Sequence, residues 1–151
     1  MDRLTSMGLS NAARKYLDAA EILKRRTKGV FMPAYFVACQ GLELTLKAYL
    51  RGCGLSEKQL RKLGHDLEKI AERAFKECPE GLVVLSETER LIVSLINMYY
   101  QDRDLQYTRS EYKELPELST LLEVCERLWR ATRKFCVEKQ ALHHGLPTAI
   151  M

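Results

Sequence analysis

Three groups of residues in this sequence have the types and spacing to do acid–base or binding chemistry. Glu43 and Lys47 stand one helical turn apart inside the apolar stretch YFVACQGLELTLKAYLRGCG, Tyr35 to Gly54. His65 adjoins Asp66 in GHDL. Tyr99, Tyr100, Tyr107 and Tyr112 alternate with Arg103, Arg109 and Lys113 in YYQDRDLQYTRSEYK. A carboxylate on a nearly all-apolar helix must find a donor, because an unpaired buried charge is costly. Its i,i+4 pairing with Lys47 contributes only ~0.2–0.5 kcal/mol, so a further partner is expected: His65, Arg103 or a tyrosine hydroxyl. Such internal polar pairs more often fix helix register than bind a ligand, and a structural ion pair is the simpler reading. Asp66 reads as a helix N-cap, which accounts for the acid without chemistry and leaves His65 as a hydrogen-bonded or proton-active ring. Rings interleaved with cations suit a groove that stacks bases. They equally suit a helix-terminating loop that packs its rings and solvates its charges, and the loop is the simpler of the two. His143 and His144 are adjacent, point in different directions on a helix and have no third ligand, so neither metal nor cofactor is expected. There is no P-loop, no GxGxxG and no nucleophile elbow.

Those side chains need elements to position them, and hydrophobic spacing supplies helices. Leu9, Ala13, Tyr16, Ala20 and Leu23 alternate steps of four and three, as one helix face does, with Ser10 or Asn11 as cap and Gly29 beyond the end. A second helix opens near Pro33 and carries Tyr35, Cys39, Leu42, Leu46, Tyr49 and Cys53 on one seam. Its far side is also apolar, which places it at the centre of a bundle. Ser56 caps a short helix ended by Gly64, and Asp66 caps another carrying Leu67, Ile70, Ala71 and Ala74 inward. Ser86 and Glu89 form a capping box ahead of Leu91, Leu95, Met98 and Ile92, Ile96, Tyr99. Pro116 opens the last long helix, with Leu118, Leu121, Cys125, Leu128, Thr132 and Phe135 on its seam. GLVVL is too short and isolated to build a sheet. The expected fold is all-α: an antiparallel up-and-down bundle of four long helices plus one or two short ones. Residues 1–142 form one domain in this reading, and 143–151 a flexible tail.

The totals agree. A chain of 151 residues with 46% hydrophobic and 29% charged residues suits one compact soluble domain. No apolar run approaches the ~20 residues of a membrane span, and no secretory leader is apparent. The 5 cysteines form no CxxC pair and fall where small hydrophobes belong, so reduced core thiols in a cytoplasm are expected. A net charge of +4 is mild; LKRRTK and ERLWRATRK hold local basic clusters, more simply solvated faces than an RNA surface.

Three segments in order, ELTLKAYL, GHDLEKI and YYQDRDLQYT, carry a resemblance to the HEPN family of small all-α bundles, from about Ser10 to Lys134. The first is similar to the family's E-x-x-L-K-A-x-L segment, the second to its H-D-L-x-x-L element. Ribonuclease members use an Arg-x4-6-His motif; here no His follows Arg103 or Arg109 until His143, and Leu105-Gln106-Tyr107 stands where other members have Leu-Arg-Tyr. The resemblance therefore implies a non-enzymatic module binding a protein partner or a nucleotide or nucleic acid. It also implies a homodimer, in a toxin–antitoxin or nucleotidyltransferase-associated setting. Glu43, Lys47, His65, Tyr100, Arg103 and Tyr107 are the candidate ligand-binding residues, expected to converge at one end of the bundle. The alternative is a divergent metal-independent ribonuclease, with His65 as general acid or base and Arg103 or Arg109 stabilising the phosphate.

Overall fold

The structure, a computed structural model, describes residues 4–101 and 115–143, with side chains described as far as Lys139. Among these residues the chain forms six helices and no strand: α1 (Ser6–Arg26), α2 (Met32–Gly52), α3 (Glu57–Lys62), α4 (Leu67–Glu77), α5 (Glu87–Tyr100) and α6 (Leu118–His143). The starts of α3, α4 and α5 are closed by their own sequence. Ser56 and Ser86 each make a full capping box, with Gln59 and Glu89 respectively, and the Asp66 carboxylate accepts from Lys69 N. Each cap satisfies backbone donors that a helix start leaves open.

Contacts between chain-distant residues fix the directions. Ser6 Oγ donates to the Ala48 carbonyl at 2.7 Å, and Leu17 lies against Gly41, so α1 and α2 are antiparallel. A Cβ on Gly41 would stand 2.6 Å from Leu17 Cδ2, so any larger residue there would have to displace the Leu17 side chain. Tyr35 donates to the Pro116 carbonyl at 2.8 Å while Tyr49 meets Phe135 edge-on at 5.2 Å, so α6 runs alongside α2 in the same sense. Tyr100 at the end of α5 meets Glu43, and α5 runs against α2. The long helices α1, α2, α5 and α6 are thus the expected up-and-down set. The short α3 turns back so that α4 descends beside α2. Every other helix touches α2, whose Cys39, Leu42, Leu46, Tyr49 and Leu50 are fully or nearly fully buried.

Several local expectations change. The N-cap of α1 is Thr5, whose hydroxyl accepts from Gly8 N; Ser10 and Asn11 lie inside the helix. Leu17 is completely buried and Tyr16 is exposed, because α1 is rotated toward Gly41 by that close approach. On α5 the inward set is Ile92, Val93, Ile96 and Tyr100, whereas Leu91 and Met98 are exposed. The expectation of five reduced thiols fails for two of them: Cys53 and Cys78 are joined as a disulfide, with Cα atoms 5.7 Å apart. Cys39, Cys125 and Cys136 are free and buried as expected. No helix among the described residues is long and apolar enough to cross a membrane. Arg103, Tyr107 and Arg109 lie outside the described residues, as does the chain beyond His143.

Candidate functional site

Glu43 sits at the middle of α2, only 5% exposed, and its carboxylate gathers donors from three elements. Oε1 accepts from the Tyr100 hydroxyl of α5 at 2.8 Å and lies 2.8 Å from His65 Nδ1, in the turn between α3 and α4. Oε2 accepts from Lys47 Nζ at 3.0 Å, one turn along α2. Lys47 Nζ donates again, to the Gly64 carbonyl at 2.9 Å. Gly64 can aim that carbonyl because its φ of +61° lies in the left-handed region that a side chain disfavours. The ammonium therefore bridges α2 to the same turn that delivers His65.

A second polar tie holds the start of α4. The Asn97 side chain, 3% exposed on α5, donates from Nδ2 to Asp66 Oδ1 at 3.0 Å and accepts from Leu67 N at 2.7 Å. Asp66 thus caps α4 and receives Asn97 with one oxygen. Rings close the site from the side: Phe36 and His65 lie 6.0 Å and 6.1 Å from the Tyr100 ring. Burial, and then the charge and hydrogen bond of Glu43, push the Tyr100 hydroxyl far above the ordinary tyrosine range. It stays a neutral donor. Burial likewise raises the Cys39 thiol, with smaller contributions from Cys125 and Glu43, so it is not a nucleophile at neutral pH.

An ionised carboxylate only accepts, so the proton between Glu43 and His65 belongs on Nδ1. The other ring nitrogen, Nε2, then carries a lone pair when the imidazole is neutral and a proton when it is charged. His65 is the member of the group that reaches solvent, its side chain 42% exposed. This arrangement can hold an imidazole in one orientation at the surface and offer it to a ligand as acceptor or donor.

Of the six ligand-binding candidates, Glu43, Lys47, His65 and Tyr100 are brought together, and Arg103 and Tyr107 lie outside the described residues. Sequence reasoning missed Asn97 and the Gly64 carbonyl. The signal for Asn97 was there, an amide inside the apolar run LIVSLINMYY. The Gly64 carbonyl had none, since any residue offers one. Two cations of the basic run on α6 are committed elsewhere, Arg127 to the Glu89 carboxylate at 2.8 Å and Arg133 to α1. Arg14 forks onto Glu126 and stands over the Trp129 ring at 4.8 Å, while Arg133 donates to Ser10 Oγ at 3.0 Å. These contacts tie α1 to α6. Among the described residues no cluster of His, Cys, Asp or Glu could hold a metal ion.

Comparison with known families matched one model, described as HEPN domain, over residues 8–135. Neither the curated proteins nor the solved structures gave a match.

Proposed function

Because the chain belongs to the HEPN domain family, matched over residues 8–135, we propose that it acts by binding rather than by turnover. The ligand is a nucleotide or nucleic acid, or a protein partner, held where His65 emerges. One observation carries this reading: the polar centre spends its own groups on itself. Glu43 already accepts from three donors, and Lys47 is held between the carboxylate and the Gly64 carbonyl. A phosphate clamp needs an uncommitted cation beside the base, and Lys47 is not one. What remains on offer is the outer edge of one oriented imidazole. The test is a titration of labelled single-stranded RNA and of a purine nucleotide into the protein and its His65→Ala variant. Saturable binding weakened at least tenfold by the substitution is expected. Binding that the substitution leaves unchanged overturns the placement at His65.

Non-cleaving HEPN modules accompany small nucleotidyltransferases, and a partner of that type in a toxin–antitoxin pair is the protein ligand we favour. Co-expression with a small nucleotidyltransferase of the kind that pairs with such modules should give a complex that survives gel filtration; separate elution counts against it. The family and the exposed Leu91 and Met98, seven residues apart on α5 and 59% and 60% exposed, support a homodimer.

The second reading, a divergent metal-independent ribonuclease, draws on the same histidine. A carboxylate on Nδ1 that leaves Nε2 outward is how an imidazole is prepared for proton transfer. It requires Arg103 or Arg109 at the phosphate. RNA incubated with clean protein in a chelator should then be cut, and the cutting lost in His65→Ala; an unchanged RNA ladder eliminates this reading.

A further inference from the structure

The five cysteines are not equivalent. Cys39, Cys125 and Cys136 are completely buried in the core, and burial raises all three thiols, Cys125 to about 12. Cys53 and Cys78 instead end helices. Cys53 is the C-cap of α2 and Cys78 the C-cap of α4, and their Cα atoms stand 5.7 Å apart, within the range a disulfide spans without backbone movement. Cys53 is half-buried, so a small thiol or disulfide can reach it, whereas Cys78 is 3% exposed behind it. The segment the bond encloses, with a sequence separation of 25, is the α3–α4 hairpin that carries Gly64, His65 and Asp66. At the hairpin's other end, the polar ties from Lys47, Glu43 and Asn97 and the buried side chains of Leu60, Leu63 and Leu67 hold it to the bundle, all of them non-covalent.

We infer that Cys53 and Cys78 form a redox-responsive clasp, which locks the α3–α4 hairpin to α2 under oxidising conditions and releases its lower end under reducing ones. The reaction is thiol–disulfide exchange with a low-molecular-weight disulfide such as oxidised glutathione. The Cys53 thiolate attacks one sulfur, and the first glutathione leaves as its thiolate. Cys78 then attacks the mixed disulfide and expels the second. One sulfur–sulfur bond breaks and one forms; the two cysteine protons end on the two glutathione thiols. The protein dithiol is oxidised and glutathione disulfide is reduced. The compartment's thiol–disulfide poise sets which form is populated. The inference stands whatever occupies the surface at His65.

The experiment compares the full chain equilibrated in oxidised or in reduced glutathione, then denatured, alkylated and digested. After oxidised glutathione, alkylation is expected at Cys39, Cys125 and Cys136 only, with one linked peptide pair containing Cys53 and Cys78. After reduced glutathione all five should be alkylated. The oxidised form should melt about 5–10 °C above the reduced one, because the bond restricts the unfolded chain. The half-exposed Cys53→Ser variant should show no such shift. Five alkylated cysteines after oxidised glutathione overturn the inference, as does a shift that persists in Cys53→Ser. The alkylation pattern of the native sequence decides the matter without any variant.

Discussion

Glu43 shows how one side chain can organise three elements. Removing it in Glu43→Ala leaves the Tyr100 hydroxyl without its acceptor and Lys47 with the Gly64 carbonyl alone, and breaking a buried ion pair from one side costs about 3–5 kcal/mol. Urea denaturation should read that loss; a cost below about 1 kcal/mol would mean the carboxylate is not what holds the site. Tyr100→Phe removes one donor to a charged acceptor and should cost about 1.5–3 kcal/mol in the same measurement. The pH dependence has a defined sign. Tyr100 has a folded pKa raised above its unfolded value of 10.0, so its contribution is complete below that pH and is lost as pH rises beyond it. Tyr35 and Tyr49 add to the same loss, and burial is the leading cause in both. Stability should therefore fall with rising alkalinity, beginning near the unfolded value of 9.0 for the buried Cys39, Cys125 and Cys136. Above 10.0 the fall should be shallower in Tyr100→Phe, and equal slopes in variant and parent would refute the assignment. The need for company at Glu43 was legible in the residue types, because a lone acid in an apolar run has few physical options. The identity of its partners was not, because His65 and Tyr100 lie 22 and 57 residues away in the chain.

At the scale of elements, helix starts were legible wherever the cap is a local interaction. Ser56, Asp66 and Ser86 bond donors three residues ahead, a spacing visible in sequence. Ser86→Ala should cost about 1 kcal/mol, read as a lower denaturation midpoint; no change would mean the bond from Arg127 to Glu89 suffices to hold that end. The facing of a helix was less legible. Tyr16 and Leu17 are neighbours, and either could serve a seam; the glycine opposite admits Leu17 and leaves Tyr16 outside. Gly41→Ala forces a methyl group into Leu17 and should cost about 1–3 kcal/mol, with α1 losing protection from hydrogen exchange first. Unaltered exchange in α1 would show that the helices can part freely.

For the molecule as a whole, α2 acts as an axle. The other helices pack round it, and α3 folds back so that α4 can run beside it, delivering the His65 turn to Glu43 at one end and Cys78 to Cys53 at the other. The proposed dimer is tested at this scale: light scattering at high micromolar concentration should give twice the 17.4 kDa chain mass, and a strict monomer would refute it. The sequence by itself determined that the chain is a helical bundle, which helix is central and that its acid must be neutralised within. Those follow from period, caps and the cost of a buried charge, all of which act over a few residues. Tertiary structure alone decided that Leu17 rather than Tyr16 faces in, that Asn97 pins α4, and that two of the five cysteines meet. These depend on where separate helices cross, and crossing is settled by the fit of whole surfaces, which no local spacing encodes.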